Sequence, residues 1–167
     1  MKQPSRIFLV GLPGAGKSTV GKYMASELGY AFIDLDERIE AQAGQPIRVL
    51  FQQSGEQHFR EMERDALRAI TETNVVVATG GGAPCFHDNM DWMNTNGFTL
   101  FLNPSLDIIA ERISKETHRP LIGEKPRESL EALLNQRITF YEKSGMESGR
   151  IEPCEILAEL LRFINES

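Results

Sequence analysis

The chain has 167 residues, of which 41% are hydrophobic and 25% are charged, and its formal net charge at pH 7 is −6. These values are ordinary for a soluble globular protein and predict one domain over residues 1–167. The negative charge disfavours a general attraction to nucleic acid, and two cysteines suggest no disulfide framework. The first apolar run is too short for a signal sequence or a membrane span, so we expect a cytoplasmic protein without a membrane partner.

A glycine-rich stretch follows the first apolar run, Arg6–Val10, and leads into a helical pattern that ends near Gly29. Residues 11–19 read G-L-P-G-A-G-K-S-T, and a strand, this pattern and a helix in that order are the context of a phosphate-binding P-loop. Backbone N–H groups of the loop and of the helix N-terminus would point at phosphate oxygens. Lys17 would reach the β- and γ-phosphates, and Ser18 would place a hydroxyl on Mg²⁺.

Strand-like and helix-like segments alternate along the chain, which predicts a parallel sheet with helices on both faces. Strands are predicted at Arg6–Val10, Ala31–Asp34, Val75–Ala78 and Phe98–Leu102, with a weaker fifth strand in Met146–Ile151. After the P-loop helix, helices are predicted at Gly55–Glu72, around His87–Asn94, from Pro104 to about Lys115, at Glu128–Lys143 and at Pro153–Asn165. A polar stretch with short helical pieces around Ile47–Gln52 precedes the second helix, and Glu116–Arg127 is predicted to be a mobile loop.

Unusual side chains follow the second and third predicted strands. Asp34 and Asp36 are two residues apart, so their side chains would share one face of an extended chain. The triplet Gly80–Gly82 permits close approach of a ligand to the backbone. Because ligands bind beyond the carboxyl ends of parallel strands, these residues and the P-loop should form one cleft. Alternatively, Asp36 only caps the next helix, and the triplet is a plain turn before Pro84.

Two charged residues, Arg137 and Glu63, lie where apolar residues are expected, and a third, Arg60, can pair with one of them. On a helical wheel of Glu128–Lys143, Arg137 falls inside the apolar arc. On a wheel of Gly55–Glu72, Glu63 lies beside the apolar stripe, and Arg60 can pair with it from three residues earlier. Arg60 and Arg137 could together clamp a small carboxylate, which a planar guanidinium suits. Alternatively, the charged group of Arg137 reaches solvent, and Arg60 and Glu63 form an ordinary ion pair on the surface.

The order and spacing of these motifs resemble those of shikimate kinases. The resemblance covers residues from about 6 to 145 and is carried by Gly11–Thr19, Phe32–Asp36, Gly55–Arg60 with Glu63, Thr79–Gly82, Arg119–Leu121 and Gln136–Tyr141. It implies a three-layer α/β/α P-loop kinase fold of the nucleoside-monophosphate-kinase type, with five parallel strands in the order 2-3-1-4-5. It also implies a substrate-binding region at about 37–65 and a lid at about 116–127.

The resemblance further implies that a monomer transfers the γ-phosphate of ATP to the 3-hydroxyl of shikimate, with Mg²⁺ as cofactor and ATP and shikimate as partners. The implied catalytic residues are Asp36, as candidate general base, Lys17 and Arg119. The implied shikimate-binding residues are Asp36, Phe51, Phe59, Arg60, Glu63, Gly81, Gly82 and Arg137. The implied ATP-binding residues are Gly14, Ala15, Gly16, Lys17, Ser18, Thr19, Arg112 and Arg119. Ser18 and Asp34 are the implied metal residues, Asp34 through a water molecule.

The segment Ser144–Glu152 departs from the family pattern. It is short and polar, whereas family members have a clear apolar fifth strand followed by an adenine loop. Arg150 and Pro153 are the expected members of that loop in this chain.

Three other functions are compatible with a P-loop. Another small-molecule kinase would act on gluconate or a nucleoside monophosphate, but the paired arginines and the order of the motifs favour shikimate. A GTPase-like nucleotide switch would carry the signatures N-K-x-D and D-x-x-G, and the sequence contains neither. A nucleic-acid-binding ATPase conflicts with the net charge of −6.

Overall fold

The computed structural model describes residues 3–116 and 125–167. Its centre is a five-stranded sheet in the order β2-β3-β1-β4-β5, in which every neighbouring pair is parallel. The strands are β1 (Arg6–Val10), β2 (Ala31–Asp34), β3 (Val75–Ala78), β4 (Phe98–Leu102) and β5 (Met146–Ser148). The predicted fold class and strand order are therefore confirmed, including the short fifth strand in the polar segment.

Helices flank this sheet along the whole described chain. They are α1 (Lys17–Leu28), α2 (Leu35–Ala43), α3 (Ile47–Arg68), α4 (Asn89–Asn96), α5 (Leu106–Lys115), α6 (Pro126–Tyr141) and α7 (Pro153–Glu166). None of them combines the length and hydropathy that a membrane crossing requires. All four residues of β3 are buried, as expected for an apolar strand covered on both faces.

The chain between β2 and Gly55 is more helical than its sequence predicts. The helix α2 was not predicted, because most of its nine residues are polar and only Leu35 and Ile39 are buried. The next helix, α3, consists of two helical segments that meet at a kink at Gly55, where the backbone has the non-helical angles φ 77° and ψ 171°. This division agrees with the predicted short helical pieces around Ile47–Gln52 and the predicted helix from Gly55, although the second segment ends at Arg68 and not at Glu72.

The start of α5 also differs from the prediction. Pro104 was expected at the first helical position, but Ser105 is the residue that caps α5. Its side chain accepts a hydrogen bond from the Ile108 N–H at 3.4 Å. Pro104 therefore lies one residue before the cap, where its fixed φ angle and missing N–H do not interfere with the helix.

Candidate active site

A cavity of about 810 Å³ lies beyond the carboxyl ends of β1, β2 and β3. Its wall comes from the P-loop, from the two aspartates after β2, from the residues after β3, from the end of α5 and from the start of α7. These residues are Pro13, Gly14, Gly16–Val20, Asp34, Asp36, Thr79–Gly81, Arg112, Lys115, Glu116 and Ile151–Pro153. The three strand ends therefore meet at one cavity, as the sequence predicted.

The P-loop is built for close approach of an anion. Gly14 and Gly16 have φ values of 82° and 95°, which side chains with a Cβ rarely adopt. Lys17 is 9% exposed, and its Nζ donates to the carbonyl oxygens of Gly11 and Leu12 at 2.7 and 2.8 Å. Gly16 makes no side-chain cap on α1, so the N-terminus of this helix faces the cavity without a capping side chain.

Asp34 accepts three hydrogen bonds at the end of β2. Its Oδ1 accepts hydrogen bonds from the N–H groups of Asp36 and Glu37 at 3.1 and 3.2 Å. Its Oδ2 accepts a hydrogen bond from the Ser18 hydroxyl at 2.7 Å. Asp34, and not Asp36, is therefore the residue that caps α2. The predicted shared face of an extended chain is wrong, because the chain becomes helical at Leu35, but both carboxylates still line the cavity.

Asp36 lies in the first turn of α2 and has an altered acidity. Burial raises its pKa above the usual value for an aspartate, and the nearby Asp34 carboxylate raises the pKa further. The positive charges of Lys17 and Arg60 oppose this shift without cancelling it. A carboxylate with a raised pKa binds a proton more readily, so this position suits a general base.

Arg60 and Glu63 form a buried ion pair on α3. The Arg60 Nη1 donates to the Glu63 Oε1 at 2.9 Å, and the two side chains are 10% and 1% exposed. The alternative of a surface pair is therefore wrong. A Cβ at Gly82 would lie 2.5–2.8 Å from the guanidinium of Arg60, so a glycine is needed at this close approach.

Arg137 reaches the same glycine triplet from α6. A Cβ at Gly81 would lie 2.9 Å from its Nη1. This buried Nη1, like the buried Nε of Arg60, has no hydrogen-bond partner in the part of the chain that the structure describes. Buried donors of this kind are costly unless something accepts from them, and two guanidinium groups suit the two oxygens of a carboxylate. Neither arginine belongs to the cavity wall, which includes Gly80 and Gly81.

Phe51 and Phe59 pack against each other with ring centroids 4.6 Å apart. Phe59 is 3% exposed and Phe51 is half-buried. Their rings lie within 6 Å of the Arg60 guanidinium, at 5.9 Å for Phe51 and 5.3 Å for Phe59. The structure thus places both predicted apolar residues around Arg60 rather than on the wall of the main cavity.

The predicted ATP-binding residues are divided between the cavity and its surroundings. Arg112 is half-buried on α5, lines the cavity, and donates from Nη1 to the Gly14 carbonyl at 3.3 Å. Ala15 is buried and donates from its N–H to the Leu12 carbonyl at 3.1 Å. Arg119 lies outside the described residues. Of the expected adenine-loop residues, Pro153 lines the cavity, whereas Arg150 lies 3.7 Å from Glu159 and is not part of the cavity wall.

Tyr141 is a site residue that the sequence did not reveal as one. It lies one helical turn after Arg137, and its hydroxyl donates to the Gly81 carbonyl at 2.6 Å. Its ring packs on Phe101 with centroids 4.9 Å apart, and burial raises its pKa to about 12. The sequence placed Tyr141 only on the apolar arc of its helix, because the pattern of a helix does not show what a hydroxyl will meet.

Comparison with known proteins agrees with this geometry. A family model described as shikimate kinase matches residues 13–165. A shikimate kinase from Parabacteroides distasonis is 43% identical over 147 residues, which are 84% of this chain and 85% of that protein. The crystal structure of shikimate kinase from Bacteroides thetaiotaomicron matches with a TM-score of 0.89 and 37% identity, covering 97% of this chain and 99% of that one.

A further solved structure is shikimate kinase from Acinetobacter baumannii in complex with shikimate. It matches with a TM-score of 0.90 and 31% identity, covering 99% of this chain and 94% of that one. These similarities extend over the P-loop, the sheet and the helices that carry the paired arginines. The chain therefore belongs to the shikimate kinase family.

Proposed function

We propose that this protein transfers the γ-phosphate of ATP to the 3-hydroxyl of shikimate, giving shikimate 3-phosphate and ADP. The observation that carries the proposal is the position of the glycine triplet: Gly80 and Gly81 line the P-loop cavity, and the guanidinium groups of Arg60 and Arg137 lie against Gly82 and Gly81. The cavity suits phosphates, and the guanidinium groups of Arg60 and Arg137 suit a carboxylate such as that of shikimate. The match to a shikimate kinase solved with shikimate supports this choice of acceptor.

In the proposed reaction, the oxygen of the shikimate 3-hydroxyl attacks the γ-phosphorus of ATP, and Asp36 accepts the proton of that hydroxyl. A bond forms between that oxygen and phosphorus, and the bond from phosphorus to the bridging oxygen of ADP breaks. Phosphoryl transfer depends mainly on positioning and charge stabilisation. Lys17 supplies a positive charge at the cavity, and Arg60 and Arg137 hold the acceptor by its carboxylate, with Glu63 orienting Arg60.

Mg²⁺ is the cofactor that we propose. Ser18 Oγ and Asp34 Oδ2 lie 2.7 Å apart on the cavity wall and are hard oxygen donors of the kind that Mg²⁺ prefers. Ser18 would hold the ion directly and Asp34 would hold it through a water molecule. When bound, the ion neutralises charge on the phosphates of ATP.

The remaining assignments concern the organisation of the protein. We propose one domain over residues 1–167, with acceptor binding in residues 37–65 and a lid at 116–127 that carries Arg119; residues 117–124 of this lid lie outside the described part. We also propose a monomer with ATP and shikimate as its partners. The use of ATP and the two free cysteines, Cys85 and Cys154, support a reducing cytoplasmic location.

One experiment tests the function. ADP release from Mg-ATP is measured with shikimate, with gluconate, with AMP and without an acceptor, and turnover is expected with shikimate alone. Turnover only with gluconate or AMP would overturn the proposal, and nucleotide binding without turnover would indicate a switch. In the same assay, Lys17→Ala is expected to lower the turnover about 10²–10³-fold, by analogy with the loss of one oxyanion-stabilising donor.

A further inference from the structure

We propose that Phe86 is a positioning residue for the acceptor, because its ring stacks on the guanidinium of Arg60. The ring centroid of Phe86 lies 4.3 Å from the Arg60 Cζ, closer than the rings of Phe59 at 5.3 Å and Phe51 at 5.9 Å. This inference rests on the proposed function, since Arg60 is the residue that we assign to the carboxylate of shikimate.

The hydrogen bonds of Arg60 leave its orientation only partly determined. One strong bond joins its Nη1 to Glu63 at 2.9 Å. A weaker contact joins its Nη2 to Glu56 at 3.4 Å, and the Glu56 side chain is 59% exposed. The buried Nε has no partner among the described residues. A planar group that is held firmly at one nitrogen can still tilt, and a ring stacked on its face restricts that tilt.

The backbone that presents Phe86 is held in a specific conformation. His87 and Asp88, which follow it, have φ values of 50° and 55°, in the left-handed region that residues other than glycine seldom adopt. The Asn89 N–H donates to the Phe86 carbonyl, and the buried Asn89 side chain donates to the Ala83 carbonyl, both at 3.0 Å. Such conformations persist where the surrounding structure enforces them, and they are common at functional sites.

The helix that carries Arg60 also holds this turn. Arg68 lies about two helical turns after Arg60 on α3. Its Nη2 donates to the His87 carbonyl at 2.6 Å. One helix therefore positions the guanidinium of Arg60 directly and positions the turn of Phe86 through Arg68. Because both depend on α3, the ring of Phe86 and the guanidinium of Arg60 keep a fixed position relative to each other.

The arrangement predicts which kinetic constant depends on Phe86. A stacked ring covers the face of the guanidinium and leaves the in-plane N–H groups of Arg60 to bind a carboxylate. The ring also excludes water from that face, which strengthens the attraction between Arg60 and an anionic acceptor. Among residues 3–116 and 125–167, no ring contact or hydrogen bond joins Phe86 to the P-loop or to Asp36, so we expect Phe86 to affect the binding of shikimate and not the transfer step.

The test compares three variants in the ADP-release assay. Phe86→Leu is expected to raise the KM for shikimate about three- to tenfold, with kcat and the KM for ATP within about twofold of the unsubstituted enzyme. Phe86→Tyr keeps an aromatic face and is expected to retain the original KM. Phe163→Leu is the control, because Phe163 lies on α7, is 40% exposed and is not part of the site. Its ring packs on that of Phe98, with the ring centroids 5.9 Å apart.

An unchanged shikimate KM in Phe86→Leu would overturn the inference, as would an equal rise in Phe86→Leu and Phe86→Tyr. A failure of the unsubstituted protein to phosphorylate shikimate would instead refute the proposed function, so the two failures are distinguishable. If Phe86→Leu did not fold, Arg68→Ala would test the same arrangement, because Arg68 is exposed and bonds the turn at His87. A raised shikimate KM in Arg68→Ala supports the inference, and an unchanged one overturns it.

Discussion

At the scale of single residues, the partly buried carboxylate of Asp36 lowers the free energy of unfolding of the protein at neutral pH. Burial and the Asp34 carboxylate raise the pKa of Asp36 in the folded protein. Below the unfolded pKa of about 4, both states carry the proton and no penalty arises. As the pH rises toward the folded pKa, the unfolded state loses its proton more readily, so the free energy of unfolding falls. Above the folded pKa the penalty is constant.

We therefore expect Asp36→Asn to increase the free energy of unfolding at pH 7 while abolishing most of the turnover. The gain in stability should disappear below about pH 4, where the aspartate is protonated in both states. Urea unfolding at a series of pH values measures this difference. Asp91→Asn replaces an exposed carboxylate on α4 as a control and should show no such gain. Lower stability of Asp36→Asn at pH 7 would contradict the expectation.

At the scale of elements, the kink of α3 separates two parts of the proposed acceptor-binding region. Gly55 has φ 77° and ψ 171°, a conformation open essentially to glycine alone, and a Cβ at this position would meet nothing within 4 Å. Phe51 precedes the kink and Arg60 follows it. The backbone conformation, and not the available space, is therefore what requires glycine here.

Gly55→Ala is expected to lower the free energy of unfolding by about 2 kcal/mol because of backbone strain. Gly44→Ala is the matched control, since Gly44 ends α2 with φ 69° and its Cβ would also meet nothing within 4 Å. Because the left-handed conformation of Gly44 is less strained for other residues, we expect Gly44→Ala to lower the free energy of unfolding by only about 1 kcal/mol. Only Gly55→Ala should also raise the KM for shikimate, because only this kink aligns Phe51 with Arg60. Equal effects of both variants on stability and KM would refute this role.

The contact between α6 and the glycine triplet provides a second prediction at this scale. The Tyr141 hydroxyl donates to the Gly81 carbonyl at 2.6 Å, one turn from Arg137. Tyr141→Phe should lower stability by about 1 kcal/mol and should raise the shikimate KM, because the helix and the triplet lose their link. In Tyr30→Phe, which removes a similar bond to the Pro4 carbonyl at 3.1 Å, stability should fall without a change in KM. A rise in KM for both variants would show a general effect of lost stability.

At the scale of the whole molecule, the proposed function places two ligand sites of different chemistry on one chain. A ligand that binds only the folded state stabilises it by about 2.7 kcal/mol at a concentration of about 100 times Kd. For a chain of this length, that corresponds to a rise in Tm of about 5–10 °C. Shikimate and Mg-ADP should therefore each raise the Tm of the unsubstituted protein.

Arg137→Ala should lose most of the rise in Tm with shikimate and should keep the rise with Mg-ADP, whereas Lys17→Ala should behave in the opposite way. The shikimate KM of Arg137→Ala should increase about ten- to a hundredfold, as expected when a charged hydrogen bond is lost. Arg162→Ala replaces an exposed arginine on α7 as a control and should change neither shift. If Arg137→Ala kept the original shikimate KM, the carboxylate clamp would be wrong.

The sequence by itself determined those features that depend on neighbouring residues. The P-loop, the four longer strands and the positions of α1, α5, α6 and α7 follow from local periodicity, glycine spacing and polar boundaries. Arg137 and Glu63 were noticed because they interrupt or border apolar helix faces, and Arg60 was noticed as a residue that can pair with Glu63 from one helical turn away. The order of the motifs then identified the family, since that order is a property of the chain alone.

The tertiary structure decided everything that depends on residues far apart in the chain. It showed that Asp34 caps α2, that the two arginines pack against Gly81 and Gly82, and that Phe86 stacks on Arg60. Periodicity could not predict these contacts, because it records which face of an element is apolar and not what that face meets. The helix α2 was missed for the same reason, because it packs on α3 and is capped by the Asp34 carboxylate, and a polar stretch of sequence shows neither contact.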